Sequence, residues 1–147
     1  MSDSLKGKVA IVTGSGQGIG RAIAFGLAAE GAKIVTNNRK PGSTGYAIMK
    51  EDLIKNLPPD KQAWFKKHVA EDTGDAETTA QAIRERGGEA IAFFGDMTDF
   101  QKARELAETT KKHFGRIDIL VNVIGTFAFG PIWEMSEETW DHVTLVK

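Results

Sequence analysis

Short apolar runs alternate with amphipathic stretches along the chain, and that alternation predicts its elements. Lys8–Thr13 (KVAIVT) is rich in β-branched residues and reads as a buried strand. Gly14, Gly16, Gly18 and Gly20 follow it, and then a helical pattern with Ile23, Leu27 and alanines on one face, ended by Gly31. Ala32–Asn37 reads as a second strand and Ala90–Phe94 as a third. From Asp99 to Phe114, apolar groups recur at Phe100, Ala103, Leu106, Ala107, Thr110 and Phe114, which predicts a helix capped by Gly115. Ile117–Ile124 is a fourth strand, apolar on both faces except at Asp118 and Asn122. After a Gly-Pro loop, Ser136, with Glu137 and Glu138 close behind, starts a last helix that runs toward Lys147.

Strand and helix alternate, so the expected class is α/β with a parallel sheet. Between the second and third strands lie about fifty residues, more than a single crossover helix needs. Thr78–Arg86 supplies the crossover helix. Tyr46–Asn56 and Asp60–Val69 read as two extra short helices hinged at Pro58-Pro59, forming a helical insertion over about residues 41–73.

Composition narrows the function classes. The 147 residues carry 19 basic and 20 acidic side chains, a net charge of −1, with 41% hydrophobic and 27% charged residues. That is ordinary for a folded soluble domain and argues against disorder. Near-neutral charge without a basic tract argues against nucleic-acid or membrane-surface partners. No cysteine is present, which removes disulfides and thiolate chemistry. His68, His113 and His142 are scattered without ligand spacing, so no metal site is expected. Ile119–Trp133 is the longest uncharged apolar stretch, but it is short for a membrane span and broken by Asn122, Gly125, Gly130 and Pro131. A polar start, Met1–Lys8, shows no signal-peptide pattern, and the expected location is cytoplasmic.

The 16 glycines are the unusual number, and their placement is informative. Thr13-Gly14-Ser15-Gly16-Gln17-Gly18-Ile19-Gly20 follows a strand directly and opens a helix. Glycine is required where the backbone turns tightly or where a pyrophosphate meets the main chain without a Cβ between them. The helix N-terminus behind the loop offers unpaired N–H groups and partial positive charge to an anion. A glycine-rich turn without a ligand is the bland alternative. No Gly-Lys-Ser/Thr follows, so a triphosphatase loop is excluded.

These residues resemble the classical short-chain dehydrogenases/reductases, whose Thr-Gly-x-x-x-Gly-Ile-Gly motif is matched in full at Thr13–Gly20. The resemblance continues at Asp96 and Met97 after the third strand, where the family's aspartate contacts adenine. It continues again in Leu120-Val121-Asn122-Val123-Ile124-Gly125, which resembles the strand end that supports the cofactor. Phe114–Asp118 and Trp140 also fit, and the match covers everything except the insertion. It implies a doubly wound Rossmann sheet with strands in the order 3-2-1-4. It also implies a nicotinamide dinucleotide cofactor, an alcohol or ketone substrate, and a homo-oligomer, tetramer or dimer, built through the last helix. The implied cofactor-binding residues are Gly14, Gln17, Gly18, Ile19, Gly20, Asn38, Arg39, Lys40, Asp96, Met97, Asn122, Val123 and Gly125.

In such domains an acidic residue ending the second strand binds the ribose 2′-hydroxyl of NAD, whereas a basic one accommodates the 2′-phosphate of NADP. Here that position is Asn38, followed by Arg39 and Lys40, and no carboxylate lies between Glu30 and Glu51. We therefore expect NADP(H) over NAD(H). Gln17 weakens that expectation, since some NADP-preferring relatives carry a second basic residue there, and Arg39-Lys40 also reads as a solvated turn.

The family's chemistry needs a tyrosine with a lysine four residues later, a serine and an asparagine. Tyr46 is the single tyrosine, and Lys50 stands four residues on, but this pair lies just beyond the second strand on the adenosine side, away from hydride transfer. We read it as a solvated helix face. Lys147 stands where the asparagine is usual. Four strands in this order leave the fourth at an edge although it reads as buried on both faces. The expectation is therefore about the first half of a larger domain, inactive by itself, with its catalytic residues beyond Lys147. A non-catalytic dinucleotide-binding or regulatory subunit is the alternative. Glu51-Asp52 and Glu71-Asp72 read as solvated faces. Trp64, Phe65 and Val69 read as sealing the extra helices, with cover over the cofactor or packing on a neighbouring subunit as the alternatives. Phe127, Phe129, Ile132 and Trp133 read either as an apolar substrate wall or as core.

Overall fold

A computed structural model describes residues 3–42, 55–64, 74–126, 128 and 130–145. Its elements are β1 (Val9–Thr13), α1 (Gly18–Ala29), β2 (Lys33–Asn38), α2 (Ala76–Glu85), β3 (Ala90–Phe94), α3 (Phe100–Phe114), β4 (Ile119–Val121), a 3₁₀ turn (Ile132–Glu134) and α4 (Glu137–Leu145). The four strands form one parallel sheet in the order β3-β2-β1-β4, the order expected from sequence.

β1 is buried at every position because it has a strand on each side and helices over both faces. Its side chains alternate between two cores. Ala10 and Val12 pack with Ile34, Ala24, Ala80 and Ile83 beneath α1 and α2, whereas Ile11 packs with Val35 and Leu106 beneath α3. Burying a side chain such as Ile34 or Ile83 contributes roughly 1.5–3 kcal/mol.

The helices begin and end where local chemistry requires. α2 opens on a capping box: the Thr78 N–H donates to Asp75 Oδ1 at 2.9 Å, and the Asp75 N–H donates to Thr78 Oγ1 at 2.8 Å. Its buried face is Ala76, Thr79, Ala80 and Ile83, a helical repeat. α3 is capped by Asp99 and closed by Gly115 in the left-handed region, after Lys111, Lys112 and His113 in its last turn.

Several expectations shift. β2 runs to Asn38, one residue further than the apolar run, because Asn38 still pairs with Phe94. The crossover helix starts at Ala76 because its cap is Asp75. β4 keeps only three paired residues, and Leu120 is 58% exposed, so this strand is half-covered instead of buried on both faces. The reason is pairing: β4 meets β1 on one edge, and no described strand lies on the other. Phe100, the first of the recurring apolar groups of this helix, stands in the first turn of α3 and is 75% exposed. In the insertion, residues 59–64 are helical, and the Gln62 side chain ties back to the carbonyls of Lys55 and Leu57 across Pro58-Pro59. The rest of the two extra helices lies outside the described residues.

Candidate dinucleotide-binding site

Parallel strands deliver their carboxyl ends to one rim of the sheet, and all the sequence-predicted site residues emerge there. Gly14–Gln17 leave β1, Asn38–Lys40 end and leave β2, Asp96 and Met97 follow β3, and Asn122, Val123 and Gly125 follow β4. Backbone and side-chain hydrogen bonds lock these exits together. Thr13 Oγ1 donates to the Val121 carbonyl at 3.4 Å and accepts from the Val123 N–H at 3.2 Å, fixing the exit of β4 against that of β1. The Ser15 N–H donates to the Asn37 carbonyl and the Asn37 N–H donates to Ser15 Oγ, which joins the loop to β2. The Asn37 amide, fully buried, donates to the carbonyls of Asn38, Phe93 and Gly95, which joins β2 to β3 just before Asp96.

The loop is packed too tightly for side chains at two glycines. A Cβ on Gly20 would overlap the Gly14 carbonyl and sit 3.1 Å from the Ser15 Cα, so α1 closes directly on the loop. A Cβ on Gly16 would overlap Asn38 Oδ1 and lie 2.8 Å from both the Asp75 Cα and the Gly74 carbonyl oxygen. Gly18 and Ile19 are exposed on the opposite side, where Ile19 opens the first turn of α1 at 73% exposure.

Charge at this rim is specific. The N-terminus of α1 has no side-chain cap, and its first turn holds no acidic residue, whereas Asp75, Asp99 and Ser136 accept first-turn N–H groups of α2, α3 and α4. An uncapped positive helix end behind a flush glycine loop fits the pyrophosphate of a dinucleotide. Asp96 Oδ1 accepts from the Thr98 N–H at 3.0 Å and the Thr98 hydroxyl at 2.8 Å. These two bonds hold its carboxyl below the usual range; partial burial opposes them, and the charges of Arg39 and His142 assist. Arg39 is exposed, with no hydrogen bond or ion pair among the described residues. A bound nicotinamide dinucleotide would supply hydride transfer. Of this chain's own residues, the open N-terminus of α1 would be placed to seat its phosphates, and Asp96 would stand as an acceptor at the end of β3.

Sequence reasoning missed three of the residues that build this rim. Ser15 and Asn37 act through backbone pairing, for which the sequence carries no signal. Asp75 was detectable from its Asp-x-x-Thr capping pattern with Thr78. Asn122 is exposed, and Ile124 instead packs on Gly14. Ile132 and Trp133, at 67% and 81% exposure, are not core. Tyr46, Lys50, Phe65, Val69, Phe127, Phe129 and Lys147 lie outside the described residues. A cavity of about 490 Å³ opens at the opposite end of the sheet, between the C-terminal ends of α1 and α2, lined by Phe25, Lys33, Ile83, Arg86 and Glu89. It contains none of the predicted site residues.

A half-sheet of this order with a glycine loop at its switch point defines a dinucleotide-binding α/β protein. Comparison with known proteins names the family. The profile of the short chain dehydrogenase family matches residues 8–56 and 61–146, and the chain belongs to that family. It is 35% identical over 143 residues to elsinochrome reductase 1 of Elsinoe fawcettii, covering 97% of this chain and 42% of that protein. It is 34% identical over 149 residues to versicolorin reductase 1 of Aspergillus parasiticus, covering 100% and 45%. A short chain dehydrogenase crystal structure from Mycobacterium avium superposes with a TM-score of 0.73 at 31% identity, covering 99% of this chain and 42% of that one. The chain thus spans less than half the length of the relatives it matches. No helix among the described residues is long and apolar enough to cross a membrane.

Proposed function

We propose that residues 1–147 form the N-terminal, cofactor-binding part of a single Rossmann domain. The whole protein would be an NAD(P)(H)-dependent oxidoreductase that interconverts an alcohol and a ketone, with its catalytic residues beyond Lys147. The observation that carries this reading is the uncapped N-terminus of α1 set behind a loop that admits no Cβ at Gly16 or Gly20. Gly14, Gln17, Gly18, Ile19 and Gly20 then hold the phosphates, Asn38, Arg39 and Lys40 the adenosine ribose, Asp96 and Met97 the base, and Asn122, Val123 and Gly125 the nicotinamide half. The reductase names of relatives, such as a probable tetrahydroxynaphthalene reductase of Zymoseptoria tritici, support the ketone-reducing direction.

NADP(H) is the favoured dinucleotide, supported by the exposed Arg39 beside Lys40 at the end of β2. Assembly as a dimer or tetramer through α4 is supported by a helix that buries none of its residues, with Trp140 and Leu145 exposed. The near-neutral, cysteine-free composition suits the cytoplasm. Nothing in the fold or the comparisons favours a non-catalytic subunit. Calorimetric titration with NADPH and NADH tests the reading. NADPH should bind more tightly; equal or tighter NADH binding overturns the preference, and binding of neither overturns the site. In the full-length protein, absence of dinucleotide-dependent turnover across a broad panel of ketones and alcohols would count against the activity.

A further inference from the structure

We propose that Asp75 is a second determinant of dinucleotide choice, acting against Arg39 and Lys40: its carboxylate stands beside the adenosine ribose and limits how strongly a 2′-phosphate is preferred. The inference rests on the site described above. No carboxylate lies near the end of β2 along the sequence, but the fold returns one there from the far side of the insertion. The atoms that fill the space beside Gly16 are Asn38 Oδ1, the Asp75 Cα and the Gly74 carbonyl oxygen, so the ribose-binding strand end, the glycine loop and the start of α2 meet at one point.

The carboxylate is held in place from both sides. Oδ1 accepts from the Thr78 N–H at 2.9 Å, and Oδ2 accepts from the Gly42 N–H at 3.0 Å, just beyond the Arg39-Lys40 turn. Partial burial pushes its carboxyl up, but hydrogen bonds from Gly42, Thr78 and Glu77 outweigh that and hold it below the usual range. The group is therefore charged at neutral pH. Its position has a further consequence. The positive N-terminus of α2 could otherwise take a phosphate, but Asp75 already caps it, so a 2′-phosphate entering here meets negative charge instead of free N–H groups. A ribose 2′-hydroxyl is neutral and meets no such repulsion.

Asp75→Asn and Asp75→Ser test this, because both replacements cap helices about as well as aspartate and remove the charge, each keeping one acceptor oxygen for the Thr78 N–H and giving up the bond to the Gly42 N–H. Wild type and both variants are titrated calorimetrically with NADPH and NADH, and their thermal unfolding is followed with and without each dinucleotide. In both variants the ratio of NADPH to NADH affinity should rise about three- to tenfold, the size of a partly screened like-charge contact. The shift in melting temperature given by NADPH should grow relative to that given by NADH. An unchanged ratio in both variants overturns the role of Asp75 while leaving the site intact. Failure of wild type to bind either dinucleotide overturns the site itself, and the role of Asp75 with it.

Discussion

Replacing Asn37 by aspartate should convert a silent structural residue into a pH-sensitive fault. The two side chains have nearly the same shape, but the Asn37 amide is fully buried and donates to three carbonyls, Asn38 at 3.2 Å, Phe93 at 3.3 Å and Gly95 at 3.1 Å. A protonated aspartate can donate to one of them. The Asn38 carbonyl keeps the Gly95 N–H at 2.9 Å, and the side-chain hydrogen bonds lost with the amide cost about 1–3 kcal/mol. An ionised aspartate would face the same carbonyl dipoles with no donor at all and in the absence of water, so its folded-state pKa rises well above the unfolded value of about 3.9.

The folded state then holds a proton that the unfolded state has lost, and stability falls as pH rises between those two values, by about 1.4 kcal/mol per pH unit. At pH 7 the pH-dependent loss reaches about 4 kcal/mol if the folded value lies at or above 7. Added to the missing hydrogen bonds, this approaches the whole stability of a domain, about 5–15 kcal/mol. Urea unfolding followed by circular dichroism from pH 4.5 to 7.5 measures it, with Asn37→Ala as the control. The alanine variant should be weakened by a similar amount at every pH, whereas Asn37→Asp should weaken steeply toward neutrality. An aspartate variant whose stability parallels wild type across that range would refute the buried three-carbonyl arrangement.

Two further outcomes follow from buried or charged groups elsewhere. The Thr79 hydroxyl is buried on the inner face of α2 with no hydrogen-bond partner among the described residues, so Thr79→Val should stabilise by about 1 kcal/mol; an unchanged or lower melting temperature would contradict this. The Asp118 carboxyl is held below its usual range by the Arg116 guanidinium first, then by the Val9 N–H at 2.9 Å, with Lys8 adding charge. Its contribution is therefore present above about pH 4 and lost as pH falls through the lower folded value. Asp118→Asn should show a shallower loss of stability between pH 5 and 2 than wild type, and parallel curves would exclude this role.

The elements that local patterning specifies were legible. β1 and β3 are short β-branched or aromatic runs, and their observed limits, Val9–Thr13 and Ala90–Phe94, fall within a residue of the pattern. The glycine loop was legible because each glycine answers a backbone demand that other residues cannot meet. Burial was less legible wherever it depends on a neighbouring element. The apolar stretch around Leu120 predicts cover on both faces, but cover comes from strands and helices that lie elsewhere in the chain, and only β1 pairs with β4 among the described residues. Phe100 fails for a different reason. It satisfies the helical period yet occupies the first turn of α3, at the margin of the core contributed by Leu106 and Thr110.

The corner at the end of β2 shows the limit most sharply. Reading along the chain, the stretch after β2 offers only Asn38, Arg39 and Lys40, and the expectation of a 2′-phosphate rests on that stretch alone. In space, the same corner is built from four segments: the glycine loop at Gly16, β2 through Asn37 and Asn38, the turn at Gly42, and the helix cap at Gly74 and Asp75. An insertion between β2 and α2 conceals this because it separates the two halves of the corner in sequence while the Gly42 N–H and the Asp75 carboxylate close them together at 3.0 Å. Specificity rules that examine one strand end assume that the next helix begins a few residues later and brings no charge of its own. Here the helix begins on an aspartate, so the net charge of this corner depends on the cap that opens α2 as much as on the residues that end β2.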